Sequence, residues 1–173
     1  MPRTYNSLAT TTVSGSASSV TISDISSAYT DLIIVVRCSL NGISNVNLKV
    51  GTGNTIDTNQ SNYQNKQVMC GTAGGTTRSF YYGTDEGLKL DFYATGTGNV
   101  KQFQANLFNY SSTAKQKTIL IRSSLPQGGS DREVVNIVGT WANTAAINCI
   151  RITPDTTTFQ DGTMVTVYGI LEA

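Results

Sequence analysis

The run DLIIVVRCSL (31–40) decides the fold class. Leu32, Ile34, Val36, Cys38 and Leu40 alternate along it as one continuous apolar face, and Ile33 and Val35 make the opposite face apolar as well. β-Branched residues dominate, and the period is two rather than 3.6, so the segment reads as a strand. A strand apolar on both sides is expected at the centre of a sheet or against a neighbouring subunit. It follows directly on SSVTISDISSAYT (18–30). Residues 18–23 of that run alternate as a half-buried strand, and the Asp and Ser residues of 24–30 can bond their own backbone at a corner.

The same period of two extends over the chain. Strands are expected at 7–13, 19–23, 31–40, 46–50, 67–70, 77–82, 88–94, 101–109, 118–123, 133–141, 147–152 and 163–171, separated by Gly, Asn and Ser clusters. No window of ten residues carries a helical stripe, and the rhythm is that of a sandwich or barrel. LKLDFYA (88–94) and VKQFQANLF (100–108) alternate cleanly, and the intervening TGTGN predicts a hairpin between them. The polar stretch 51–67 is either a disordered loop or an excursion pinned by Tyr63 and Ile56. One domain over 1–173 is expected, with a short N-terminal arm (about 1–6) and a variable, loop-rich middle (about 51–87).

At 173 residues the chain can bury a sizeable core without staples. Only 13% of its residues are charged and the net charge is +1, against about 25% charged residues in ordinary globular proteins. Such a surface gives little long-range steering and favours association. The 12 Lys and Arg are dispersed from Arg3 to Arg151, which argues against nucleic-acid binding. Cys38, Cys70 and Cys149 are odd in number and far apart, which reads as buried thiols folded in a reducing cytoplasm, the alternative being a disulfide between two of them. No apolar run approaches a transmembrane length and the N-terminus lacks a signal-peptide core, so neither a membrane nor export is expected.

The chain has no histidine, which removes Ser-His-Asp and Cys-His catalysis and histidine zinc sites. The carboxylate pairs Asp85-Glu86 and Asp131/Glu133 fall at turns or strand starts and read as solvated or ion-paired groups rather than a glycosidase pair. Asp155 and Asp161 match no calcium loop, and GTGN precedes no helix that would cradle a phosphate. No enzyme, cofactor or metal is expected. Trp141 at a strand end is read as core, and the adjacent rings of Phe80, Tyr81 and Tyr82 leave at least one ring directed away from it.

Both ends of the chain resemble a family of small virion structural proteins of tailed bacteriophages, common in phages of marine and freshwater bacteria. The resemblance rests on TYNSLATTTVSGSASSVTISDISSAYTDLIIVVRCSL (4–40), GTWANTAAINCIRI (139–152) and FQDGTMVTVYGI (159–170), in that order. It implies an all-β, jelly-roll-like antiparallel sandwich and a place in the virion, in a capsid decoration or in tail fibres. One domain filling 1–173 without a stalk favours decoration. That role implies a homotrimer on the outer capsid surface, assembled in the host cytoplasm and bridging major capsid protein subunits. Contact residues are expected at Arg3 and Tyr5 in the arm and at Arg78, Tyr81 and Tyr82. The rival role is a receptor- or glycan-binding module of a tail appendage, with Tyr63, Tyr81, Tyr82 or Tyr110 as stacking platforms.

Overall fold

A computed structural model describes residues 5–71, 78–84, 86–90, 100–126 and 132–171; for 69–71, 78–84, 125–126 and 132–133 it describes the backbone alone. In chain order the strands are β1 (Tyr5–Thr12), β2 (Val20–Ile22), β3 (Asp31–Cys38), β4 (Val46–Thr52), β5 (Thr55–Ile56), β6 (Tyr63–Gly71), β7 (Arg78–Thr84), β8 (Leu88–Lys89), β9 (Lys101–Phe108), β10 (Lys117–Pro126), β11 (Arg132–Trp141), β12 (Cys149–Pro154) and β13 (Met164–Ile170). A 3₁₀ turn, Gln60–Asn62, precedes β6. Eight strands form one sheet in the order β1-β13-β3-β9-β10-β11-β6-β7. The second sheet runs β2-β12-β4-β5, and β8 joins it on β4. The pairings are antiparallel and the chain passes repeatedly from one sheet to the other.

The protein is thus an all-β antiparallel sandwich with unequal layers. β3 lies between β13 and β9, three strands in from the β1 edge. Its Leu32, Ile34, Val36 and Cys38 are buried and share one core with Leu48 and Val50 of β4 and Ile150 and Ile152 of β12. β9 contributes Phe103, Ala105 and Leu107 to the same core and turns Gln102, Gln104 and Asn106 outward. Alternation sets the register, because a one-residue slip would bring every glutamine of β9 inward.

The expected hairpin between 88–94 and 100–108 does not form. Leu88 and Lys89 pair with Leu48 and Asn47 of β4 in the small sheet. Both edges of β9 are occupied, by β3 and by β10, so no edge is left for β8 to pair with. The TGTGN turn and residues 91–94 lie outside the described residues. The expected arm also shortens, since Tyr5 and Asn6 already pair with Ile170 and Gly169 as the start of β1.

The 51–67 stretch is the pinned excursion, and its pin is polar. Tyr63 is fully buried; its hydroxyl accepts from the Val50 amide (3.2 Å) and lies within donating distance of the Val50 (3.0 Å) and Asp57 (2.8 Å) carbonyls. The Asp57 carboxylate accepts from the Asn59 amide (2.8 Å), Asn62 Nδ2 (2.7 Å) and Trp141 Nε1 (2.8 Å). Gly51 allows the tight return, because a Cβ there would stand 2.0 Å from the Thr55 carbonyl oxygen. Trp141 is buried, as expected of a core residue, and Cys38 and Cys149 are buried free thiols.

Burial alone would push the Asp57 carboxyl up, but its three hydrogen bonds outweigh it and hold the group below its ordinary value of 3.8. A depressed carboxylate contributes stability that is present above the unfolded value and lost as pH falls toward the folded one. Asp57→Asn should therefore cost about 1–3 kcal/mol at neutral pH. It should also flatten the acid limb of stability below about pH 4, measured by urea unfolding across a pH series.

Candidate functional site: the outer face of the large sheet

Five strands cover the inner side of eight, and the outer side of the large sheet is left open among the described residues. Successive rows can be followed across it by register. One runs Ser7, Tyr168, Ile33, Asn106, Leu120, Val138, Lys66. The next runs Thr10, Thr166, Val35, Gln104, Arg122, Asn136, Val68. A third runs Thr12, Met164, Arg37, Gln102, Ser124, Val134.

The large hydrophobics exposed among the described residues are Tyr5, Ile43, Val68, Phe108, Val134, Val138 and Met164. All but Ile43, which sits in the β3–β4 connection, stand on this face. Tyr5 is 58% exposed and Val134 55%. Four of them, Tyr5, Val68, Val134 and Val138, fall with half-buried neighbours into two patches. Tyr5, Ile33, Val35 and Tyr168 surround one shallow depression of about 370 Å³ on β1, β13 and β3. Val68, Val134 and Val138 form the other on β6 and β11. Between them runs a polar strip of Gln102, Gln104, Asn106, Arg122 and Asn136, with a broader depression of about 520 Å³ whose lining includes Val35, Arg37, Arg122, Val134 and Met164.

The face is cationic as well as apolar. Arg37, Arg122 and Lys66 are exposed on it. Among the described residues its single carboxylate is Asp31 at the lower rim, which accepts from the Asn109 amide (2.7 Å).

Of the expected contact residues, Tyr5 stands on this face at the exposed edge strand. Arg3 lies outside the described residues. Arg78, Tyr81 and Tyr82 fall in β7, the other edge of the large sheet, with their backbones opposite Met69, Lys66 and Asn65; their side chains lie outside what is described. Tyr63 and Tyr110 are both fully buried and cannot serve as stacking platforms for a glycan. The Tyr110 hydroxyl is instead spent on the Ser26 carbonyl.

Among the described residues the carboxylate candidates do not gather. Asp85 and Asp131 lie outside the described residues, as does the Glu133 side chain, and Glu86 is exposed beside Gln60. Asp161 accepts from the Gly15 amide (2.9 Å), whereas Asp155 meets Lys89 and Asn47. Among the described residues no group of three or more His, Cys, Asp or Glu side chains could hold a metal, and no helix is long and apolar enough to cross a membrane.

Val68, Val134, Val138 and Tyr168 were not singled out by sequence reasoning. EVVNIVGTW (133–141) carries apolar residues at both parities, as the 31–40 run does, and that was the signal available. The buried lysines were also unforeseen. Lys117 is fully buried, and its ammonium donates to the Ser112 (2.7 Å), Lys115 (2.7 Å) and Thr144 (3.1 Å) carbonyls, while burial lowers its pKa.

No protein-family model matches the chain, and no curated protein or solved structure matches it either.

The two sides of β11 should separate cleanly in mutagenesis. Val134→Thr and Val138→Thr on the open face should change stability by less than about 1 kcal/mol. Ile137→Ala on the core side should cost about 2–5 kcal/mol. Equilibrium denaturation of the three variants checks the contrast.

Proposed function

We propose that this protein is a capsid decoration protein of a tailed bacteriophage, which bridges and stabilises major capsid protein subunits from the outer surface of the shell. The observation that carries the reading is the gathering of exposed apolar side chains on one open sheet face. Apolar patches rimmed by polar residues are a recurrent feature of surfaces that bind other proteins. Low overall charge and the resemblance of both chain ends to phage virion proteins support the same reading.

Bridging requires a molecule to hold two things at once, and the face offers two apolar patches separated by a polar strip. In this reading the patch of Tyr5, Ile33, Val35 and Tyr168 joins copies into a trimer, and the patch of Val68, Val134 and Val138 meets the shell. Three modest shell contacts on one trimer act together through their high effective concentration. A ligand that binds only the expanded shell stabilises it by mass action, by about 2.7 kcal/mol per site at a hundredfold excess over Kd. No reaction is needed; the work is mechanical.

The test uses purified protein and expanded capsids stripped of it. Wild-type protein should sediment as a trimer, rebind in hundreds of copies per particle and raise the temperature at which shells rupture. Val35→Lys should sediment as a monomer and rebind weakly, whereas Val138→Lys should remain trimeric and fail to rebind. A handful of copies per virion, or shells equally robust without the protein, would overturn the decoration role. The first of these outcomes would move the protein to a tail appendage.

A further inference from the structure

We infer that Lys89, Asp155 and Asn47 form a self-acting cross-linking site, in which the chain joins β8 to β4 through an isopeptide bond between Lys89 Nζ and Asn47 Cγ. The two residues are direct cross-strand partners in the antiparallel β4–β8 pair. Such partners project from the same face of a sheet with Cβ atoms about 5 Å apart. One carboxylate engages both side chains. Asp155 Oδ2 takes the Lys89 ammonium at 3.2 Å, and Asp155 Oδ1 accepts from Asn47 Nδ2. Nucleophile, electrophile and proton carrier are therefore held across the width of a single carboxylate.

The surroundings suit the chemistry. Asn47 is 2% exposed, and its Oδ1 is buried with no hydrogen-bond partner. A buried amide with an unpaired oxygen is costly as a purely structural feature, and an ion pair between Lys89 and Asp155 has no need of one. The Lys89 and Asp155 side chains are 14% and 24% exposed, so the pair sits at the solvent edge of the buried Asn47 amide, where released ammonia can leave. The backbone fixes the approach. The Asp155 amide donates to the Asn45 carbonyl (3.1 Å). Gly87 lets the chain close on β4, since a Cβ there would stand 3.0 Å from the Leu48 carbonyl oxygen and 3.4 Å from Asn47 Cβ.

The step balances without an oxidant or co-reactant. The Lys89 ammonium passes a proton to Asp155, and the neutral amine attacks Asn47 Cγ to form the Nζ–Cγ bond. Asp155 delivers its proton to Nδ2 and takes one from Nζ, the Cγ–Nδ2 bond breaks, and ammonia departs carrying away the remaining proton as ammonium. The carboxylate is regenerated and one secondary amide replaces one primary amide. Proximity supplies the driving geometry, because both side chains already meet the same carboxylate before reaction. The bond would close residues 47–89 into a covalent loop and restrict the unfolded chain.

Intact-mass spectrometry of the purified full chain tests this, and it requires no partner, so its outcome is separate from that of the decoration role. The wild-type mass should fall short of the sequence mass by one ammonia, about 17 Da, and a digest should contain a branched peptide joining Lys89 to Asn47. Lys89→Arg keeps the ion pair and should restore the full mass. Asp155→Asn keeps both reacting groups and should abolish or greatly slow the loss. A wild-type chain that retains its full mass after prolonged incubation overturns the inference. So does an ammonia loss that the digest assigns to a succinimide at Asn41-Gly42.

Discussion

Leu32, Ile34, Val36 and Cys38 of β3 share a core with Leu48, Val50, Ile150 and Ile152 of the small sheet, and the rest of the molecule is arranged around that contact. Two sheets pack face to face when each offers one apolar side. Here one sheet has eight strands and the other five. The small sheet seals only inner faces, so the outer face of the large one must be soluble by itself or covered by something else. Gln102, Gln104 and Asn106 meet the first requirement at the centre of the sheet, and the apolar residues on either side of them invite the second.

Polar interactions do a different job in this fold. They secure the places where the chain leaves the sheets. Tyr63 and Asp57 hold the excursion after β4 by side-chain and backbone hydrogen bonds in a buried setting, where such bonds are strengthened and their loss is costly. Lys117 collects three carbonyls in the same way, two from the β9–β10 connection and one from the β11–β12 connection. Both are uncommon uses of buried polar groups, and both depend on nearly every hydrogen-bonding valence being filled.

The candidate face was only partly legible in advance. The double-sided apolarity of the 31–40 run pointed to Ile33 and Val35, and both stand half-buried on the open face. Tyr5 was foreseen as a contact residue in a free arm, and it stands on the same face from within a strand. Val134 and Val138 were passed over because a strand with two apolar sides reads equally well as fully buried. Which side is covered depends on how many strands the opposite sheet supplies, and no local pattern encodes that number. Tyr63 and Tyr110 fail as glycan platforms, although Tyr63 answers to the other reading of it, as the pin of the 51–67 stretch. A tyrosine in a polar segment reads as exposed, yet each is buried with its hydroxyl bonded to a carbonyl of a distant residue.

What the residues determine by themselves is the strand class and its periodicity. The alternation of β-branched and polar residues, broken by glycine and asparagine, leaves no other regular structure open, and nearly every strand lies where that alternation locates it. Pairing was decided by tertiary structure alone. LKL (88–90) and the strand from Lys101 look like a hairpin to any local rule, but β3 and β10 take both edges of β9 and send Lys89 to the other sheet, opposite Asn47. Strand partners are chosen by competition for edges across the whole sheet, and a competition that pairs Tyr5 with Ile170 cannot be read from any one segment.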